Sequence, residues 1–306
     1  MEAISIVTME NETKEVIEEL REMVMAVLAE QYGDDFDVKE ADVDKNNHRK
    51  LCGITILSKD SNSGPTIYMD NYIEDYLDGK MTVQSIAERI VEIASVEKPD
   101  LSSILEKLKN YDEIKGYILP DLVNYEANKE ILNKQPFKPY LDLAITLYID
   151  LYEECRGRIR INNELFGKWG MKEEEVFGQA FRNIGKRGDF FVSNVYSLLK
   201  EGGLELPLDA DIENFPLYVI TNRRKMWGAV CMANTDFLGL LAEKFGCGFI
   251  IYPSSVHESL ILPDSEFEKL QSMRKEERDF TSKDVETINT SVVDVEERLS
   301  NSIYHY

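Results

Sequence analysis

LYVITNRRKMWGAVCMANTDFLGLLAEKFGCGFIIYPSSVHESLIL, residues 217–262, is the stretch on which the fold reading turns. Its apolar runs at 217–221, 228–232, 248–252 and 259–262 are short and mostly β-branched or aromatic, and read as strands. Between the second and third run, Phe237, Leu241 and Phe245 share one face of a helix over 235–245. Asn234 stands at its N-cap and Gly246 at its C-terminal stop. The order ββαββ does not alternate strand with helix. It predicts an α+β fold in which a mixed or antiparallel sheet carries flanking helices, with the ββαββ unit in the C-terminal part.

Upstream, Val16, Leu20, Met23, Val24 and Val27 recur at helical spacing and predict a helix over 11–32, capped by Asn11 and ended by Gly33. Strands at 36–43 and 51–57 flank the polar run 44–48, which reads as a hairpin loop. A short extended piece at 65–68 and a helical turn at 71–77 follow. Thr82 caps a helix carrying Ile86, Ala87 and Ile90, and Pro99-Asp100 opens another. The texture changes near 113. The expected organisation is therefore a helix-hairpin-helix N-terminal region over 1–112 and an α+β sheet domain over 113–306. In the second part, 117–125 and 140–151 read as strands, with 158–161 pairing back onto the latter. Helices are expected at 172–184 and 191–200, the second stopped by Gly202-Gly203, and a further one from Ser265.

Charge narrows the function classes. The chain carries 57 acidic against 35 basic side chains, a net charge of −22, with 43% hydrophobic residues. That apolar content is enough for a folded core. The negative field repels phosphate backbones and anionic lipid, which argues against direct nucleic-acid or membrane binding and favours a plain role in solubility. A sharper alternative is an acidic nucleic-acid mimic. The longest apolar run, 24–29, is far short of the ~20 residues a membrane span needs. The N-terminus has no signal-peptide pattern, so a cytoplasmic location is expected. The four cysteines form no C-x-x-C pair and there are only three histidines, so no metal and no cofactor is expected, and the cysteines read as buried free thiols.

The densest reactive cluster is Tyr252-Pro253-Ser254-Ser255-Val256-His257-Glu258. Ser254, Ser255, His257 and Glu258 are the candidate catalytic residues, because a serine hydroxyl beside a histidine and an acid can become an activated nucleophile. Against this, no G-x-S-x-G elbow is present, and triad members seldom lie so close in sequence. A turn in which the serines bond nearby backbone is the favoured reading. His257-Glu258 opens like H-E-x-x-H, but Ile261 stands where the second ligand belongs. Asn222, Asn124 and Asn128 are candidate ligand-binding residues, the latter two also suited to capping a short helix. Arg223-Arg224-Lys225 offers an anion site or a solvated hairpin tip. Asp142, inside an apolar strand, is expected to face solvent. Gly167-Lys168-Trp169-Gly170 and Gly185-Lys186-Arg187-Gly188 miss the phosphate-loop pattern, and Trp169 and Trp227 read as packing residues.

Six strings read in order carry a resemblance: LVNYEANKEIL (122–132), YLDLAI (140–145), YVITN (218–222), GAVCM (228–232), IIYPSSVHE (250–258) and RLSNSIYHY (298–306). Together they resemble an uncharacterised family of gut-dwelling anaerobic Firmicutes, domain of unknown function 5688. Tyr252 and Phe137 depart from the residues expected there, an aliphatic and a histidine. The resemblance implies a bacterial, cytoplasmic protein and brings no catalytic residue with it.

The sequence thus favours a binding or interaction protein whose partner is an unidentified protein or small molecule. A hydrolase or transferase using the Ser/His/Glu cluster is the runner-up, and the acidic mimic stands third.

Overall fold

The computed structural model describes residues 2–59, 64–95, 102–155, 157–187, 189–201, 216–273 and 282–306. It is an α+β protein with antiparallel sheets. The chain divides into two compact units, Met1–Lys98 and Pro99–Tyr306. The sequence-based division near 112 falls later because the short helices Ser102–Lys107 and Tyr111–Ile114 contribute Ile104, Leu108, Tyr111 and Ile114 to the core of the second unit. Pro99-Asp100, Arg156, Gly188 and Gly202-Gly203 lie outside the described residues.

In the first unit a helix, Glu2–Tyr32, packs with strands β1 (Phe36–Glu40), β4 (Gly53–Ser58) and β5 (Thr66–Tyr68) and with the helices Asp70–Leu77 and Val83–Ser95. The helix begins well before the expected Asn11, which is an interior position and no cap. The strands are ordered β1-β4-β5. A minor ribbon, β2 (Val43–Asp44) with β3 (Lys50–Leu51), stands at the hairpin end. Leu20, Val24 and Leu28 lie on one helical face and are buried against Ile54, Ile56, Ile86 and Ile90. Thr82 caps its helix reciprocally: Ser85 N–H donates to Thr82 Oγ1 at 3.1 Å, and Thr82 N–H to Ser85 Oγ at 2.8 Å.

The second unit holds two sheets. In the first, β6 (Ile118–Asn124) pairs with β8 (Leu143–Leu151). The opposite side of β8 takes β7 (Lys138–Tyr140) at one end and β9 (Gly157–Arg160) at the other. The second runs β10-β11-β13-β12-β14, where β10 is Phe190–Asn194, β11 Tyr218–Asn222, β12 Phe249–Tyr252, β13 Ser259–Pro263 and β14 Tyr304–His305. The helix Thr235–Phe245 is capped by Asn234, whose Oδ1 accepts from Phe237 N–H at 2.9 Å, and is ended by Gly246 at φ 72°. Phe237 and Leu241 are buried, and the Phe245 ring meets Tyr218 and Phe249.

Two local readings are corrected. Residues 190–194 form a strand, and the helix starts only at Val195, running to Glu201. Residues 229–233 form a 3-10 helix instead of a strand. Ala229 to Met232 are buried on all sides, so the run has no polar alternation to distinguish the two. With that strand lost and the helix Val195–Glu201 between β10 and β11, the expected ββαββ succession is not kept: the described elements run β10, helix, β11, 3-10 helix, helix, β12, β13.

Strand β6 is an edge strand that is nonetheless buried. Leu147, opposite Pro120, gives its carbonyl to Ile161 N–H on the far side of β8 at 3.1 Å. By the antiparallel alternation, Ile118, Pro120, Leu122 and Asn124 therefore turn their backbone groups outward. Side chains occupy that edge. Asn183 Nδ2 donates to the carbonyls of Ile118 (2.8 Å) and Lys115 (2.7 Å), and Asp121 Oδ1 accepts from Leu122 N–H (2.9 Å). Asn128 Nδ2 donates to Asn124 O at 2.8 Å, and Pro120 has no donor to satisfy. Replacing Asn183 with Ala strands two carbonyls, one of them buried, and is expected to cost about 2 kcal/mol in urea unfolding, against less than ~0.5 kcal/mol for the exposed Lys172→Ala.

Candidate functional site

The site begins with two carboxylates inside the first sheet of the second unit. Asp121 on β6 and Asp150 on β8 are each 5% exposed. A buried charge needs a matched cation. Arg158 on β9 donates to Asp121 Oδ2 at 2.6 Å. Asp150 takes Arg187 at 2.5 Å, from the end of the helix Glu173–Arg187, and both its oxygens take Arg224 Nη1 at 3.0 Å. Arg224 also reaches Glu153 at 3.1 Å and lies over the Tyr152 ring. The sequence offered Arg223-Arg224-Lys225 as an anion site or a solvated tip, and Arg224 is neither. It is bound to an internal carboxylate.

Arg224 fixes the loop that follows β11. Asn222 closes this loop: its Nδ2 donates to Met226 O at 2.6 Å and its Oδ1 accepts from Met226 N–H at 3.3 Å. Lys225 and Trp227 adopt left-handed φ of 55° and 53°, each costing about 1–3 kcal/mol for a side-chain-bearing residue. Gly228 follows where a Cβ would stand 2.2 Å from Thr221 Oγ1 and 2.5 Å from Asn222 N. The strained turn carries the Trp227 indole over Arg158, whose Cζ is 4.2 Å from the ring centroid, while Tyr148 flanks the same guanidinium at 5.1 Å.

His257 holds the turn from the other side. Its Nδ1 accepts from Trp227 N–H at 3.1 Å, its carbonyl accepts from Gly228 N–H (3.0 Å) and Thr221 Oγ1 (2.6 Å), and its own N–H donates to Ser255 Oγ at 3.1 Å. Because Nδ1 is an acceptor, the proton of the neutral ring sits on Nε2, which faces Glu297 Oε1 at 3.0 Å. Glu297, 40 residues away, is the acid partner; Glu258 is not. Ser255 and Glu258 exchange backbone hydrogen bonds across the turn, and Ser255 bridges to Arg298. Burial pushes the half-buried Glu258 carboxyl above its ordinary range, against the pull of His257 and Lys225. Ser254 is half-buried in the same turn. The four candidate catalytic residues thus share one turn, yet neither ring nitrogen is directed at a serine hydroxyl.

Asn124 and Asn128 serve the backbone. Asn124 Oδ1 accepts from Ala127 N–H at 2.8 Å at the start of the 3-10 turn Glu126–Asn128, and its Nδ2 donates to Leu299 O at 2.6 Å. Asp142 is exposed, as expected, but it stands in the turn after Leu141 (φ 56°) and not inside a strand, and there Ser300 (2.6 Å), Ser302 (3.0 Å) and Tyr304 donate hydroxyl hydrogen bonds to it. Burial pushes the Cys231 thiol up to about 12, Cys52 is likewise raised by burial, and both are free. Among the described residues no three metal-ligating side chains gather.

Two outcomes follow from these contacts. Asp121→Ala leaves the half-buried Arg158 without its carboxylate and is expected to cost about 2 kcal/mol in urea unfolding, whereas the apolar pair Asp121→Leu with Arg158→Met recovers most of the loss. Burial raises the Asp142 carboxyl, but the three hydroxyl donors outweigh it and the net shift is downward. A folded value below the unfolded one stabilises the fold above pH ~4 and loses that contribution as pH falls through the folded value. The stability gap between wild type and Asp142→Asn, followed by thermal unfolding, should therefore be largest near neutrality and close as the pH falls through the lowered folded value.

Comparison with known proteins finds no match among curated proteins or solved structures. The model of one family, described as Family of unknown function (DUF5688), matches residues 17–306, and the chain belongs to that family.

Proposed function

We propose that this chain is a binding or interaction protein of the bacterial cytoplasm whose partner is a protein or small molecule. The engagement of His257 carries the reading: Nδ1 is taken by Trp227 N–H and Nε2 by Glu297, so the ring has no free lone pair for a serine proton. His257, which looked catalytic in the sequence, instead clamps a strained, aromatic-bearing loop, and Ser255 Oγ holds its backbone N–H. Strain of this kind accumulates where a surface must be held in one shape, which suits recognition. The net charge of −22 argues against direct nucleic-acid or membrane partners. A nucleic-acid mimic would need uninterrupted rows of carboxylates. Acids here are interleaved with paired cations, as in Lys39–Asp37, Lys80–Asp78, Lys129–Glu126 and Lys168–Glu164.

Wild type, Ser255→Ala and His257→Ala should show no turnover above background on a panel of ester, amide and phosphoester substrates. Turnover by wild type that both variants lose, with circular dichroism unchanged, would establish a hydrolase and end the binding reading. A pull-down from the native host, read by mass spectrometry, should return a stoichiometric protein or small molecule.

A further inference from the structure

Arg158 is fixed at one end of its guanidinium and open at another. In register it stands opposite Asp150, which Arg187 and Arg224 already fill. It reaches instead to Asp121, donating through Nη1 at 2.6 Å. On the way the guanidinium lies against two rings, with Cζ 4.2 Å from the centroid of Trp227 and 5.1 Å from that of Tyr148. The Trp227 indole is brought there by a left-handed φ of 53°, and His257 Nδ1 holds the backbone N–H of the same residue. The strained turn therefore has a use, which is to set the orientation of one arginine.

Only Nη1 is engaged. Nε and Nη2 have no acceptor among the described residues. Neither is shielded from solvent, and the side chain as a whole is 24% exposed, so both donors can be reached from outside. The Nε–H bond and one Nη2–H bond of a guanidinium run parallel, a fork that fits two oxygens of one carboxylate or phosphate. A free arginine loses rotamer freedom when it grips such a group. Asp121 and the two rings have already removed that freedom here, which lowers the ordering cost of binding.

Charge sets the size of the ligand. With a net charge of −22, the chain as a whole repels anions, so an anion site needs a local excess of cations. Arg158, Arg187 and Arg224 converge on Asp121 and Asp150. The third acid, Glu153, is 75% exposed, and water screens it. Arg160, opposite Tyr148 and on the same face of β9 as Arg158, adds an exposed cation. Screening in salt limits the reach of these charges to about 8–10 Å. A small oxyanion at the fork sits within that radius, whereas an extended polyanion such as nucleic acid would run on into the acidic remainder of the surface.

We propose that the Nε–Nη2 edge of Arg158 binds the carboxylate or phosphate group of a small molecule, with Trp227 and Asp121 holding the guanidinium in place. This rests on the binding reading and names the chemical class of its ligand.

The test follows the arginine Nε–H resonances of the full chain by NMR at mildly acidic pH, with Arg158 assigned through its backbone. Sodium phosphate and sodium acetate are the probes, titrated at constant ionic strength against sodium chloride. The Arg158 resonance should shift saturably with phosphate or acetate and not with chloride, and the tighter probe identifies the oxyanion. The Trp227 indole N–H, present in every variant, reads the affinity. Arg158→Lys keeps a cation for Asp121 but has no fork, and should weaken binding tenfold or more. Arg182→Lys, exposed on the helix Glu173–Arg187, should leave it unchanged. The proposal falls if the Arg158 resonance stays in place, if chloride moves it equally, or if Arg158→Lys binds as tightly as wild type. A duplex oligonucleotide that binds more tightly than either small probe would overturn the choice of a small molecule. Should Arg158→Lys fail to fold in thermal unfolding, the wild-type titration decides alone, because its resonance reports the contact itself. An unmoved resonance beside a stoichiometric partner in the pull-down ends this proposal and leaves the binding reading standing. Turnover in the substrate panel ends the binding reading whatever the resonance does.

Discussion

A carboxylate in a fully buried strand is the constraint around which the second unit is arranged. All nine residues of β8 are buried, and Asp150 is among them. A carboxylate in that position needs matched cations to offset its lost hydration. Arg187 arrives from the end of a helix and Arg224 from the loop after β11, elements far apart in sequence. Asp121 makes the same demand one strand away and is met by Arg158, across β8 on β9. Once Arg224 is fixed, so is the loop bearing it. Two left-handed side-chain residues and a glycine with no room for a Cβ then become tolerable, because the ion pair and the ring of His257 hold them from both ends. Pairs of this kind specify an arrangement more than they stabilise it, since apolar replacements of similar volume can be equally stable.

The turn 253–258 shows how the same residue types can serve structure or chemistry. Serine, histidine and glutamate are present, and the histidine even has a carboxylate on Nε2. In a nucleophilic triad the opposite nitrogen must be bare and aimed at the hydroxyl. Here a backbone N–H occupies it, and the serine hydroxyl oxygen is occupied by the histidine's own N–H. The imidazole works as a bracket joining the Trp227 loop to the 3-10 turn Val295–Glu297.

Much of the fold was legible in the sequence because local rules governed it. Asn234 and Gly246 bounded a helix, Thr82 capped another, and the 36–58 hairpin followed from turn chemistry. The errors came where tertiary context decided. Residues 190–194, FFVSN, have strand chemistry, but the VYSLLK that follows is strongly helical and drew the helix start too early. GAVCM is apolar throughout, and a buried 3-10 helix and a buried strand leave the same trace. At the site, the turn at 253–258 was visible as a polar cluster. Its partners were not, because Trp227, Glu297 and Arg158 meet it or its loop only through the fold. An acid within an apolar run was the available signal. It singled out Asp142, whose partners lie about 160 residues away, and it applied equally to Asp121 and Asp150.

The stretch 298–306 has a consequence for the order in which the unit can form. Leu299 is fully buried, Ser300 and Ser302 reach back 158 and 160 residues to Asp142, and β14 adds the last strand to β12. Translation delivers these residues after everything they bind. Until then the edge of β12 lacks its neighbour and the Asp142 turn lacks its three hydroxyls. A growing chain therefore carries an incomplete second unit until these residues emerge, with an open strand edge that invites wrong pairing. Closure of contacts this distant in sequence is slow. The first unit, Met1–Lys98, is compact in its own right and can fold while the rest is still being made.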